Sequence, residues 1–380
     1  MRLVLFLGSG VSLESGLPSV ETISKRLLQP DRGPSEIDRV TWLLRLLEKI
    51  DRHTLATIAP YKTGDHHQYT GAIYRQTTTY EDLFYLADQI VYSGMGLLDD
   101  TPAAALIDLI EREAEDGLKG STHPARVVDL YHLAQDARTR IETMVASLLP
   151  ADDVTGLDLI VELAHAKEID RLDIVTLNHD TLVEQLLASH EIPYEDGFGA
   201  PDGDVRWFEP DTYEGDARIR LVKPHGSIDW YAFDYRGRER MARLRNGRQD
   251  AFVDHAGRTL RRRRSTPSFL SGVNKVVRYN QSIFAEMFYW LHHALRNNDR
   301  VVMSGYGWGD TGINLRLAAW LDARPANRLV LLHRDPGALR NRSPQINEAL
   351  DAWMAADRVV PIAKWMSDVS LADLRPFLAP

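Results

Sequence analysis

The sequence predicts an α/β fold, an open parallel sheet interrupted by one large helical insertion and smaller loop insertions. Three observations predict it. Five short apolar runs, Arg2–Leu7, Asp173–Leu177, Arg220–Lys223, Arg300–Met303 and Arg328–Leu332, read as strands buried on both faces. Each run gives way at once to glycine or polar residues: GSG, NHD, HGS, SGYGWGD and HRD. In open α/β sheets ligands bind beyond the carboxyl ends of the strands, so these segments are expected to share one crevice. Between the first two runs the chain is too long for a crossover loop and carries apolar residues at helical spacing.

Composition narrows the class. The 380 residues are 44% hydrophobic and 26% charged, as in ordinary soluble proteins. There is no cysteine, which excludes disulfides and cysteine zinc sites. No other metal-ligand spacing stands out, so no metal is expected. The chain has no apolar run long enough to span a bilayer, and its first apolar run leads into a glycine turn rather than a cleavage site. A cytoplasmic enzyme is expected. The net charge of -9 works against general attraction for nucleic acid, although a local patch is not bound by it.

Gly8-Ser9-Gly10 follows the first strand. Glycine lets the backbone pass near a pyrophosphate, and the turn's N–H groups favour an anion. The same residues equally make a plain tight turn. The dinucleotide pattern G-x-G-x-x-G is not met, because Leu13 holds the third position. The continuation Ser15 to Pro18, "SGLP", makes the turn more specific, and Pro18 suits the approach to a helix near Ser19. Residues 31–165 then read as the helical insertion. Four stretches in it, "EIDRVTWLLRLLEKI", "TYEDLFYLADQIVY", "PAAALIDLIEREAE" and "ARVVDLYHLAQDARTRIETMVASLL", show helical periodicity. The core is thus expected from residues 1–30 and 166–380, with loop insertions near 195–219 and 234–271. The insertion is expected to cover the crevice or to meet a partner.

In "VTLNHDTLVEQLL", Thr176, Asn178 and Asp180 alternate past a strand and would share one face if the chain stays extended. A turn and helix cap is the plainer reading. In "VKPHGSIDWY", His225 stands directly after a strand, where it suits a general base near neutral pH. His66-His67 and His292-His293 read as surface or core residues. In "VVMSGYGWGDTGIN", Gly305, Gly307 and Gly309 make a loop, and Asp310 and Asn314 either bond ribose hydroxyls or organise that loop. His333 ends the last strand, where an adenine or its ribose could rest. The segment Arg236 to Arg264 is rich in arginine. It reads as a solvated hairpin or loop diluted by Glu239, Asp250 and Asp254, or as a contact for nucleic acid or an acidic partner.

Taken in order, "GSGVSxxSGLP", "TLNHD", "HGS" and "SGYGWGD…N" resemble the Rossmann-like NAD-binding domain of sirtuins. More closely, they resemble the bacterial sirtuin-like NAD-consuming proteins of anti-phage defence. The resemblance covers the strand ends across nearly the whole chain but not the insertions. It implies that Gly8, Ser9, Gly10 and Ser12 cradle the pyrophosphate, with Ser15, Pro18 and Thr176 beside them. It places Asn178 and Asp180 at the nicotinamide and its ribose, makes His225 the catalytic histidine, and sets Gly305 and Tyr306 on the adenosine side; Asp310, Asn314 and His333 are counted with the cofactor-binding residues on their position alone. Protein deacetylases of the family carry a four-cysteine zinc module, absent here, and Leu177 replaces their glutamine in "TQN.D". "GLPSVE" also departs from their "GIPDFR". The resemblance therefore implies an NAD glycohydrolase that yields nicotinamide and ADP-ribose. It further implies gating by homo-oligomerisation or by a separate HerA-type ATPase or short Argonaute. A sensor of NAD or ADP-ribose without catalysis, and a deacylase or ADP-ribosyltransferase, are the alternatives. An oxidoreductase is disfavoured by the missing third glycine, and a serine hydrolase by the absence of G-x-S-x-G.

Overall fold

The computed structural model describes residues 1–28, 41–48, 78–96, 127–245, 252–272, 275, 278–339 and 343–378, with 108 and 112. Its strands, in chain order, are β1 (Arg2–Leu7), β2 (Arg171–Thr176), β3 (Phe198–Asp202), β4 (Val205–Phe208), β5 (Ile219–Val222), β6 (Trp230–Tyr235), β7 (Arg238–Leu244), β8 (Phe252–Val253), β9 (Thr259–Arg262), β10 (Arg300–Ser304), β11 (Arg328–Leu332) and β12 (Val359–Ile362). The helices that matter below are α1 (Val20–Leu27), α2 (Tyr80–Gly94), α3 (Val127–Leu148), α4 (Leu182–Ser189), α5 (Ser282–Asn297) and α6 (Thr311–Ala323). The chain folds into two units. One comprises Met1–Ser19, Ala146–Leu270 and Asn274–Pro380, the other Val20–Val145 and Ser271–Val273.

The first unit is built on a parallel sheet of six strands in the order β12-β11-β10-β1-β2-β5. Counted among themselves along the chain, these strands run 3-2-1-4-5-6 across the sheet. That is the doubly wound order, and it reverses direction between β1 and β10, the place where open α/β sheets hold their ligands. β1 and β10 are apolar without alternation because both faces are covered, and Leu3 to Leu7 and Val301 to Met303 have no exposure; β2 and β5 each bury one charge, Asp173 and Arg220, which pair at 3.8 Å. Trp290 and Leu291 of α5 and Leu317 and Trp320 of α6 belong to the same core as Val4, Phe6, Val301 and Met303.

Two features depart from the sequence expectation. The sheet has a sixth strand, β12, whose sequence VVPI includes Pro361 opposite Leu331. A proline cannot donate to a ladder, so it speaks against a central strand; at the sheet edge it is tolerated. Second, the segments expected as loops near 195–219 and 234–271 build one antiparallel sheet, ordered β3-β4-β7-β6-β9-β8. Its residues do alternate. Trp230 and Ala232 join the main core, whereas Tyr231 and Phe233 pack with Val205, Trp207 and Phe252 in a separate cluster. The turn between β6 and β7 is Arg236-Gly237, both at positive φ (56° and 77°), the conformation a two-residue hairpin requires.

The second unit is helical where it is described. α1 and α2 meet through the Tyr80 N–H, which donates to Ser24 Oγ at 3.0 Å. A reciprocal cap by Thr79 and Asp82 starts α2. α3 is tied to α2 by a buried Arg138–Asp88 pair at 3.0 Å. Residues 41–48 are helical, as are 108 and 112. The remainder of the helices expected over 36–50 and 102–115, and His66-His67, lie outside the described residues.

Candidate active site

The turn after β1 is shaped by the turn after β10. Gly8 N donates to Ser304 O and Gly10 N to Gly305 O, both at 2.9 Å. A Cβ on Gly8 would stand 2.6 Å from Gly305 O, and one on Gly10 2.8 Å from Gly305 Cα. Gly305 itself has φ +69°, and its Cβ would lie 2.5 Å from Val11 N. The glycines are therefore required by two turns pressed together, which is a different reason from the approach of a phosphate. The Gly8 and Gly10 amides are committed to these carbonyls, so they are not the anion-facing donors that the sequence suggested. Ser9 is exposed, and residues 9–12 make a single 3-10 turn.

Ser12 is the centre of the first polar cluster. Its Oγ accepts from Asn178 Nδ2 at 2.9 Å and donates to Asp180 Oδ2 at 2.9 Å. Asn178 Nδ2 also donates to Gly8 O at 3.2 Å, which fixes the orientation of the amide. Its Oδ1 is buried and has no partner among the described residues. Thr176 Oγ1 accepts the Asn178 N–H, and Asp180 Oδ1 accepts the Leu182 N–H at the start of α4, both at 3.2 Å. Asp180 thus serves the helix start with one oxygen and Ser12 with the other. Lys223 Nζ donates to the Asp180 carbonyl, to Glu184 Oε1 at 2.9 Å and to Ser227 Oγ at 3.0 Å.

His225 is the centre of the second cluster. Its Nε2 lies 2.6 Å from Tyr279 Oη and 3.2 Å from Asp310 Oδ2. Tyr279 Oη donates to the same carboxylate oxygen at 2.8 Å, and Lys275 Nζ stands 3.7 Å from it. Asp310 Oδ1 caps α6 through the Ile313 N–H at 3.0 Å. Burial alone would raise the Asp310 carboxyl. The hydrogen bond and charge of His225, with Lys275 and the Ile313 amide, outweigh it and hold the group well below the usual carboxylate range. A carboxylate on Nε2 orients the imidazole. Gly226 has φ +76°, and a Cβ there would meet Ser268 O at 2.4 Å, so it serves the packing of this loop. The two clusters are joined: Ile228 N donates to the His179 carbonyl at 2.9 Å, and the His179 and His225 rings are 6.2 Å apart. Burial, then the charges of His225, Lys275 and Lys223, lower the His179 imidazole well below its ordinary value, so it is neutral near pH 7.

The remaining expected residues fall into two groups. Tyr306 and Asn314 organise the loop after β10. Tyr306 Oη donates to Asn314 Oδ1 at 2.7 Å, and Asn314 Nδ2 donates to Trp308 O at 2.8 Å and Ser343 Oγ at 3.0 Å. Of the two roles considered for Asn314, loop organisation is the one seen. Asp310 stands with His225 rather than in a place set by adenosine. Ser15 Oγ donates to the Thr155 carbonyl at 2.9 Å, Pro18 precedes α1 by two positions, and His333 makes its contacts with the Asp335 N–H (3.0 Å) and the Trp365 ring (5.5 Å). Sequence reasoning missed Tyr279, Lys275, His179 and Trp308. Only Trp308 carried a signal, as a large aromatic between two glycines. It is buried at φ +58°, and its Nε1 has no partner among the described residues. No group of three metal-ligating side chains occurs among the described residues.

A family model described as a SIR2-like domain matches residues 173–355. Among solved structures, the chain is similar to a complex of Sir2, a p53 peptide and NAD+ at 10% identity, over 99% of this chain and 93% of the other, with a TM-score of 0.37. It is similar to a Sir2 homologue mutant holding 2′-O-acetyl ADP ribose at 12% identity, over 94% and 92%, with a TM-score of 0.33. A Sir2 homolog–NAD complex matches at 13% identity, over 94% and 89%, with a TM-score of 0.35. No curated protein matches. The span that this model matches begins within β2 and takes in His225, Asp310 and the whole antiparallel sheet.

Proposed function

We propose that the crevice between β1 and β10 binds NAD and breaks its bond between nicotinamide and ribose. One observation carries the reading: a buried amide oxygen without a partner, Asn178 Oδ1, sits beside Gly8 O and Ser12 at the point where the strand order reverses. On the other side of that point, Trp308 Nε1 is a second buried polar atom without a partner among the described residues. An acceptor and a donor left open on two of the strand-end loops fit a ligand with both hydrogen-bonding characters, as a carboxamide-bearing dinucleotide has.

Cleavage leaves positive charge on the ribose. Asp180, with Ser12 donating to it, supplies a fixed negative charge near Asn178. Asn178 orders the ribose or the attacking water. His225, oriented by Asp310 and Tyr279, takes a proton from a ribose hydroxyl or from water. Water as the acceptor gives ADP-ribose. An acyl-lysine as the acceptor gives an acylated ADP-ribose, and the ligands named in the similar solved structures fit that second reading better than plain hydrolysis. The absence of cysteine removes the zinc module that protein deacetylases of this resemblance carry. Gating by assembly, with itself or with a separate nucleic-acid-handling partner, and a role in anti-phage defence belong to this proposal and not to any contact in the structure.

The test is NAD turnover by the purified full chain and by Asn178→Ala, with and without an acetyl-lysine peptide, products resolved by chromatography. Nicotinamide with ADP-ribose from wild type alone supports hydrolysis. Acetylated ADP-ribose that requires the peptide supports deacylation. Equal nicotinamide release by the two proteins would sink the site; NAD bound without release means a sensor or an enzyme waiting for its partner, and release on adding a partner chain separates the two.

A further inference from the structure

His225 sits at the third position of a tight turn that its neighbours build. Gly226 N donates back to the Lys223 carbonyl at 2.9 Å, and Pro224 stands at the second position, where its fixed φ suits such a turn. Lys223, the first residue of the turn, directly follows β5 and is 2% exposed.

The Lys223 ammonium has three N–H groups and uses all of them. One goes to the Asp180 carbonyl, one to Glu184 Oε1 at 2.9 Å and one to Ser227 Oγ at 3.0 Å. These acceptors come from three places: the loop that carries Asn178, the first turn of α4, and the far side of the histidine turn. A second tie runs beside the first, from Ile228 N to the His179 carbonyl at 2.9 Å. Two successive carbonyls, those of His179 and Asp180, are thus gripped by residues on either side of His225. For stability alone an ammonium is a poor choice here. A buried ion pair seldom recovers its desolvation cost, and an apolar pair of similar volume often serves a core as well or better. Burial pushes the Glu184 carboxyl up against the pull of Lys223 and Arg243, so that cost is not fully offset. What an apolar side chain cannot do is hold a carbonyl and a hydroxyl from two loops in fixed directions.

We propose that Lys223 is a positioning residue, which sets the His225 turn against the Asn178–Asp180 loop so that the two clusters meet one ligand in fixed register. Its effect on turnover rests on the reading that both clusters act on NAD. Binding and chemistry should then separate. Asn178 is oriented by Gly8 O and Ser12, which Lys223 does not touch, so the ligand still binds when Lys223 is lost. The placement of His225 does not survive, and turnover falls.

Lys223→Met combined with Glu184→Gln removes the tie without leaving one charge of the pair buried alone. Hydrogen exchange of the full chain, read by mass spectrometry, reports on the two loops. Peptides over 178–182 and 225–228 should exchange together at least about tenfold faster, with β1 and β10 unchanged. With NAD, kcat should fall by about 10²-fold, as for a reacting group displaced by about 1 Å, and KM should stay within about twofold. Ser227→Ala keeps the ion pair and drops one of the three bonds. It should move both readouts the same way by about 2- to 10-fold, and it guards against misfolding of the first variant. Unchanged exchange in the two loops overturns the proposal, as does faster exchange spread over the whole chain, or loosened loops with wild-type kcat. A wild type that releases no nicotinamide counts against the NAD reading alone, and the exchange result then decides the role of Lys223.

Discussion

Replacing Asp310 by asparagine isolates the charge that orients His225. Asparagine keeps an oxygen for the Ile313 N–H, so the cap of α6 survives. Its Nδ2 cannot accept from Tyr279 Oη or His225 Nε2, which now approach a single carboxylate oxygen at 2.8 and 3.2 Å. Two charge-assisted hydrogen bonds at about 1.5–3 kcal/mol each, or one broken buried pair at about 3–5 kcal/mol, put the loss on the same scale. The sign with pH follows from the lowered carboxyl. Its contribution is fully present above the unfolded value of about 3.9 and disappears as pH falls toward the folded value. The gap between wild type and Asp310→Asn should therefore close as pH falls below about 4 and the carboxylate takes up its proton. Urea unfolding followed by tryptophan fluorescence across that range measures it. A gap below about 0.5 kcal/mol at pH 7, or one that fails to close below about pH 4, would refute the role given to Asp310.

Three further outcomes are expected. His225→Ala should fold normally and lose about 10²- to 10⁴-fold in NAD turnover, read as nicotinamide release; full activity would remove His225 from the chemistry. Gly305→Ala forces a Cβ to within 2.5 Å of Val11 N at φ +69° and should cost about 1–3 kcal/mol, seen as a lowered thermal midpoint. Arg262→Ala removes a guanidinium stacked 5.2 Å from Tyr231 and 5.4 Å from Phe252. It should cost about 0.5–2 kcal/mol of stability and leave NAD turnover unchanged; loss of turnover at wild-type stability would show that the arginines act on the crevice.

The parallel sheet was legible because strands buried on both faces must be apolar without interruption, and five such runs stand out in the chain. β12 was hidden by Pro361, which only an edge position permits. The antiparallel sheet was hidden by arginines. Arg240 and Arg262 sit on strands with their guanidinium groups over Trp207 and Tyr231, so residues that look solvated in a sequence in fact cover aromatic rings. Asn178, Asp180 and His225 could be named because each stands within a few residues of a strand end. Tyr279 could not, since it lies in a short 3-10 turn 54 residues from the histidine it touches. Asp310 was named but for another purpose, because sequence spacing shows that a loop is polar and not which neighbouring loop it faces.

The position of β1 bears on how the chain reaches this state. β1 lies between β2 and β10, and its register partners run from Arg171 to Thr176 on one side and from Val301 to Ser304 on the other. A ribosome adding roughly 5–20 residues per second leaves that strand without its second neighbour for on the order of 15–60 s. Until β10 is made the segment LVLFL keeps one edge unpaired, and contacts so distant in sequence close slowly. The strand that anchors the crevice is thus also the one most exposed to misassociation during synthesis, and chaperone supply should govern the soluble yield of this protein more than its final stability does.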